Sequence, residues 1–200
     1  MCSSSLCVLV AILPKRLLLP ILKKEVKLAD KTFVPYLSGE KIGAAVKLVA
    51  EKINSDYAGK NPLFLVVLNG AFLFAADLLR SIDVDCEVSF VKFSSYQGTS
   101  STGKVKELIG LNENLKGRDV IIVEDIVDTG TTIVQMMADL DQRHTASVKI
   151  ATLLFKPEAY KKDIKIDYIG LEIPNAFIVG YGLDYDGLGR NLKDIYVIKS

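Results

Sequence analysis

Histidine is almost missing from this chain of 200 residues, where His144 is the single one. One imidazole excludes a multi-histidine metal centre and any mechanism that passes protons between two histidines. It lies in the polar 141–147 linker, where a solvated loop residue is expected. Cysteine is scarce too. Cys2, Cys7 and Cys86 form an odd set without metal-ligand spacing or a disulfide framework, which fits a reducing cytoplasm. Charge of either sign is not in excess: the net value of +1 makes no electrostatic case for nucleic acid as the main partner. Long apolar runs are also lacking. The run 7–13 is cut off by Pro14, Lys15 and Arg16, and 17–22 is a second short patch. Neither approaches the roughly 20 residues that span a bilayer. A secretory signal carries its positive charges ahead of its apolar region, and here they follow it. We expect residues 1–24 to be a poorly ordered extension, with a weak export signal as the alternative. Residues 25–200 have the length and apolar content of one domain with a real core.

What the chain does have is concentrated between Val120 and Thr132, V-I-I-V-E-D-I-V-D-T-G-T-T. Val120 to Val123 is an apolar run of the kind that fills a strand buried on both faces. Glu124 and Asp125 follow at once, then Asp128, and a helical apolar pattern starts at Ile133. A strand, a tight loop and a helix N-terminus offer free backbone N–H groups and hydroxyls from Thr129, Thr131 and Thr132, which suits one phosphate. Acids beside a phosphate need another task, and ribose hydroxyls or Mg²⁺ are the candidates. The plainer alternative is a buried strand ending in a polar turn.

The rest of the chain repeats this grammar. Ser38 is a plausible N-cap for a helix with Ile42, Val46, Val49 and Ile53 on one face. Leu63 to Leu68 reads as a second fully buried strand, broken at Asn69-Gly70 before a helix over 71–80. Two strand–loop–helix units predict a parallel α/β sheet whose ligands bind at the carboxyl ends of the strands, so Asn69-Gly70 should lie beside the 124–132 loop. Residues 87–93, 148–155, 168–173, 176–179 and 195–198 read as further strands. The Ser/Thr/Gly-rich stretch 94–106 has no apolar anchors and reads as a mobile lid. Within it, Gly98-x-x-x-x-Gly103-Lys104 imitates an ATP-binding loop, but Val105 stands where the Mg²⁺-binding hydroxyl belongs. A glycine-rich loop over 180–190 holds Asp184, Asp186 and Arg190.

The 120–132 stretch resembles the phosphoribosyl-pyrophosphate (PRPP) motif of type I phosphoribosyltransferases. Leu153-Leu-Phe-Lys156-Pro and Phe177-Ile-Val-Gly-Tyr-Gly-Leu-Asp184-Tyr resemble the hypoxanthine-guanine phosphoribosyltransferases more narrowly. Ser95-Tyr96 and Leu68-Asn69-Gly70 fall where that family has its flexible-loop pair and its pyrophosphate loop. The likeness runs from about residue 31 to 200. It implies the type I fold: a central, mostly parallel sheet flanked by helices, with a small hood and a flexible lid loop.

It also implies roles. Glu124 and Asp125 would hold the ribose hydroxyls with Mg²⁺ nearby, and Asp184 would ligate a second Mg²⁺. Asp128, Thr129, Gly130, Thr131 and Thr132, following Ile126 and Val127, would bind the 5′-phosphate. Asp128 would also act as general base toward the purine, and Lys156 would donate to its 6-oxo group. Phe177 would stack on the base and the Ile178 backbone would read its edge. Arg190 would meet pyrophosphate, and Leu68-Asn69 would be a cis peptide aimed at it. Relatives often carry Lys where this chain has Asn69, so pyrophosphate contact here would rest on backbone. Each side chain has an ordinary competitor: Lys156 a solvated strand end, Phe177 core, Asp184 a turn former, Arg190 a surface ion pair. The activity implied is purine salvage: hypoxanthine, and guanine, plus PRPP to IMP or GMP plus pyrophosphate. It would be carried out by a cytoplasmic homodimer or homotetramer with no membrane or nucleic-acid partner. The alternatives are a xanthine-preferring relative and an RNA-binding pyrimidine-operon regulator on the same fold.

Overall fold

Three apolar runs build the centre of the molecule because each is buried on both sides. In the computed structural model, which describes residues 24–94, 106–109 and 114–199, these runs lie side by side as parallel strands. The elements in chain order are β1 (Val26–Leu28), β2 (Lys31–Leu37), α1 (Gly39–Asp56), β3 (Leu63–Leu68), α2 (Phe72–Leu79), β4 (Glu87–Ser94) and β5 (Lys106–Ile109). They continue with β6 (Asp119–Val127), α3 (Thr131–Gln142), β7 (Ser147–Phe155), β8 (Tyr168–Glu172), β9 (Ile178–Val179) and β10 (Ile195–Ile198).

The main sheet has the order β5-β4-β3-β6-β7-β8, with five parallel strands and β5 antiparallel at one edge. Strand period 2 divides its side chains between two cores. Phe64, Val66, Ile121 and Val123 meet α1 and α2 through Ile42, Val46, Val49, Ile53, Phe74 and Leu78. Leu65, Val67, Ile122 and Ile150 meet α3 through Ile133, Met136 and Leu140. Full burial of each such Leu, Ile or Phe is worth about 1.5–3 kcal/mol. The sheet therefore holds its strand ends, and the loops on them, rigidly.

The helix starts have local causes. The Ser38 side chain accepts from the Lys41 N–H at 3.3 Å, the N-cap bond expected there. Helix α3 begins at Thr131, two residues before its apolar stripe, because Gly130 takes the left-handed conformation (φ 78°) and turns the chain. Among the described residues no helix is long and apolar enough to cross a membrane.

A second sheet, β1-β2-β10-β9, is antiparallel throughout and forms the hood. Its core is Phe33, Val179 and Tyr196. Residues 26–36 carried no clear strand signal, partly because Pro35 falls inside β2. Strand β1 pairs only with 31–33, so Pro35 lies where β2 has β10 on one side alone, a place that tolerates a missing N–H. Strand β5 was also missed; four residues at a sheet edge leave little pattern. The strand expected over 176–179 is shortened to Ile178–Val179. His144 is exposed in its loop, as expected. The 1–23 part of the expected extension, most of the lid, and the ATP-loop imitation lie outside the described residues.

Candidate active site

The site grows from the carboxyl end of β6. The strand does not stop at its acids but runs on through Val127, paired to β7 as Glu124↔Thr152, Ile126↔Leu154 and Val127↔Phe155. Pairing that far fixes where each carboxylate points. Glu124 is buried, only 7% exposed. Its burial, with the neighbouring Asp125 charge and hydrogen bond, pushes its carboxyl well above the usual carboxylate range. Burial also raises Asp125, opposed by the Ile126 N–H, which donates to Asp125 Oδ1 at 2.8 Å, and by the charge of Arg190. Two adjacent acids, one buried and one half-buried, both with raised proton affinity, suit a hard divalent cation completed by substrate oxygens. The described residues hold no group of three metal-ligating side chains, so Asp184 does not join that pair in one cluster.

Past Val127 the chain turns around a cavity of about 110 Å³ lined by Glu124, Ile126, Val127 and residues 128–133. No side chain caps the N-terminus of α3, which leaves its first N–H groups for a ligand. Thr129 Oγ1 and Thr131 Oγ1 lie 3.1 Å apart at its rim. Gly130 is required here twice over: a Cβ would meet the Tyr160 ring at 2.4 Å, and its φ is positive.

Strand β7 supplies the next group. The Lys156 N–H continues the ladder to the Val127 carbonyl at 3.0 Å, which sets Lys156 beside Asp128. Its ammonium donates to Asp128 Oδ2 at 2.8 Å. Lys156 is 7% exposed, so the solvated strand-end alternative fails.

The β3 loop closes over the acids. The Leu68–Asn69 peptide is cis. Gly70 packs so tightly on Asp125 that a Cβ would lie 1.7 Å from Oδ2. The 180–190 loop arrives from the other side. Gly182 (φ 98°) abuts the Gly70 carbonyl, and Arg190 bonds the Gly182 carbonyl at 2.7 Å and Asp184 Oδ1 at 2.6 Å. Asp184 Oδ2 accepts from the Gly187 N–H at 2.8 Å, so Asp184 is a turn former and an ion-pair partner together.

The hood presents Phe177 with 46% of its surface exposed, which rules out a purely core role. Ile178 is buried in β9 and pairs with Val197. Phe177 does not line the cavity around 128–133. Ser95 and Tyr96 lie outside the described residues. Sequence reasoning missed Gly182, which the Gly70 carbonyl makes obligatory, and Tyr160, whose ring makes Gly130 so, because both contacts join distant segments. Their only trace was glycine itself.

Comparison with known proteins agrees with this geometry. Residues 35–186 match the phosphoribosyl transferase domain model. The hypoxanthine-guanine phosphoribosyltransferase of Streptococcus thermophilus is 47% identical over 163 residues, covering 81% of this chain and 91% of that protein. The Bacillus subtilis enzyme of the same name is 44% identical over 164 residues, covering 82% and 91%. Among solved structures, a hypoxanthine-guanine phosphoribosyltransferase from Bacillus anthracis superposes with a TM-score of 0.78 at 38% identity, covering 88% of this chain and 99% of that one. A Trypanosoma cruzi hypoxanthine phosphoribosyltransferase gives 0.76 at 40% identity, covering 86% and 96%. A match of this depth over most of the chain, on top of the β6 loop and its Lys156–Asp128 pair, means that the chain belongs to the phosphoribosyltransferase family, within its hypoxanthine-guanine branch.

Proposed function

We propose that this chain transfers the 5-phosphoribosyl group of PRPP to hypoxanthine and guanine, giving IMP or GMP and pyrophosphate. The observation that carries the choice of base is the Lys156–Asp128 pair, a buried ammonium 2.8 Å from a half-exposed carboxylate that lines the cavity. An ammonium donates to a 6-oxo group and cannot accept from the 6-amino group of adenine. A carboxylate beside it can take the proton that the purine loses as its nitrogen attacks. Unpaired buried polar groups of this kind discriminate by about 10⁴ or more.

The other roles follow from chemistry. Breaking C1–O of PRPP builds positive charge on the ribose and negative charge on pyrophosphate. The 5′-phosphate sits in the cavity, on the N–H groups and hydroxyls of 128–132. Glu124 and Asp125 accept from the ribose hydroxyls and would hold Mg²⁺, with Asp184 toward a second ion. When bound, Mg²⁺ neutralises the oxygens of the leaving pyrophosphate. Arg190 and the backbone of 68–70 bind the same group, and turning Arg190 toward it means giving up the Asp184 ion pair. Phe177 stacks on the base, and the Ile178 backbone reads its edge. Ser95 and Tyr96, in the lid, keep water from the oxocarbenium-like centre.

Residues 25–200 work as one domain. A homodimer or homotetramer is supported by Val88 (40% exposed) and Phe90 (44%), which stand on one face of β4, with Phe72 (39%) on α2 also exposed. A cytoplasmic setting is supported by the sparse cysteines.

The test is a spectrophotometric assay with Mg²⁺ and PRPP against hypoxanthine, guanine, xanthine, adenine and uracil. Turnover of hypoxanthine and guanine with adenine and uracil silent supports the reading. Uracil turnover, or no turnover of any base, overturns it, and salt-dependent RNA binding would then be measured.

A further inference from the structure

The hairpin turn between β1 and β2 reaches the base platform. Phe177 stands immediately before β9, a strand of two residues with β10 as its one neighbour, which gives its ring little support from the sheet. Phe33 lies 6.2 Å from it, tilted by 36°. Tyr185 meets it edge-on, with centroids 5.8 Å apart and planes at 90°. The Lys31 ammonium lies over both rings, 4.7 Å from the Tyr185 centroid and 5.6 Å from that of Phe177. The far end of Tyr185 is held as well: its hydroxyl donates to Asp30 Oδ1 at 2.6 Å. That bond lowers the Asp30 carboxyl and raises the Tyr185 phenol from their ordinary values. Successive residues of one turn thus place an anion on the tip of Tyr185 and a cation across the Tyr185–Phe177 pair.

We propose that Lys31 is a positioning residue for the purine: through the Tyr185–Phe177 pair, with Asp30 holding Tyr185, it fixes the ring on which the base stacks. The inference rests on the salvage reading above. Nothing in the PRPP motif points to it, because Lys31 and Phe177 are separated by almost the whole domain. Its effect should fall on one substrate only, since the turn touches the base platform and not the phosphate cavity. A cation over an exposed ring is worth little individually, so the change should be small but selective.

The experiment measures KM for hypoxanthine, KM for PRPP and kcat in the parent protein and in Lys31→Met, Lys31→Arg and Tyr185→Phe, with melting temperatures alongside. We expect Lys31→Met to raise KM for hypoxanthine by about two- to fivefold, leaving kcat and KM for PRPP near the parent values. Lys31→Arg should restore most of it, because a guanidinium also lies on aromatic faces. Tyr185→Phe, which keeps the ring and loses the tether to Asp30, should move KM in the same direction. An active parent with unchanged hypoxanthine KM in both Lys31→Met and Tyr185→Phe overturns this inference alone. A lowered KM in Lys31→Met overturns it too, because the ammonium then competes for the face the purine uses. A parent protein inert toward every base overturns it together with the salvage reading.

Discussion

Gly182 is pressed against the carbonyl of Gly70: a Cβ on Gly182 would lie 2.1 Å from that oxygen, and its φ of 98° excludes ordinary side chains. This contact ties the 180–190 loop, with Asp184 and Arg190, to the loop that covers Asp125. We expect Gly182→Ala to cost on the order of 1–3 kcal/mol of stability and to raise KM for PRPP far more than KM for hypoxanthine. Gly187 supplies the control. Its φ is also positive (79°), but no atom would meet a Cβ there, so Gly187→Ala should show backbone strain alone. Denaturant melts and PRPP titrations of the two variants check this. Equal effects in both would mean that the Gly182–Gly70 contact contributes nothing.

The Lys156–Asp128 pair divides binding from chemistry. Asp128→Asn keeps the shape and removes the proton acceptor, and kcat should fall by about 10²- to 10⁴-fold. Lys156→Gln should act on base choice instead. An amide can donate to a 6-oxo group or accept from a 6-amino group, so the hypoxanthine-to-adenine ratio of kcat/KM should fall. Competition assays with both bases read the ratio directly. An unchanged ratio would take Lys156 out of base recognition.

How far these residues were legible in the chain depended on burial and distance. Strands β3, β6 and β7 could be read because both faces are covered, so Leu63–Leu68, Val120–Val123 and Val148–Phe155 are nearly unbroken apolar runs. Ser38 could be read as a cap because its partner is three residues away. The hood could not. Strand β2 has only Phe33 fully buried, and it carries Pro35, so its pattern is that of a loop. Within the site, Glu124 to Thr132 was legible as one contiguous motif. The contacts Gly70–Asp125, Gly182–Gly70, Gly130–Tyr160 and Lys31–Phe177 were not, because each joins segments that only the fold brings together.

The exposed pair on β4 bears on assembly. Val88 pairs in register with Phe64 and Phe90 with Val66, so both face the α1–α2 side of the sheet while staying 40% and 44% exposed. A second copy of the chain over this patch would bury them, in the self-complementary way of a two-fold interface. Phe90→Glu should then shift the sedimentation coefficient toward that of a monomer. The same oligomer in parent and variant would place the interface elsewhere, and a monomeric parent would remove the assembly altogether.

At the amino end of the sheet, far from the active-site loops, Asp56 joins Lys149 and Tyr168. Lys149 Nζ lies 2.9 Å from Asp56 Oδ2, and the Tyr168 hydroxyl donates to the same oxygen at 2.7 Å. The Lys149 bond, then that of Tyr168, holds the Asp56 carboxyl below its ordinary value, while the bonds to Asp56 and then Tyr168 raise Lys149. The folded state therefore binds fewer protons at Asp56 than the unfolded chain does. Its contribution is complete above the unfolded pKa of about 3.9 and disappears as pH falls through the lower folded value. Lys149 has the opposite sign, losing its contribution only in strong alkali, so it does not mask the acid effect. Asp56→Asn keeps an acceptor for Tyr168 and removes the charge. With Asp56 46% exposed, solvent screening limits the loss at pH 7 to on the order of 0.5–1 kcal/mol. Melting curves from pH 7 down to pH 2 should show parent and variant converging below about pH 4. A gap that stays constant across that range would mean that the charge on Asp56 does not stabilise the fold.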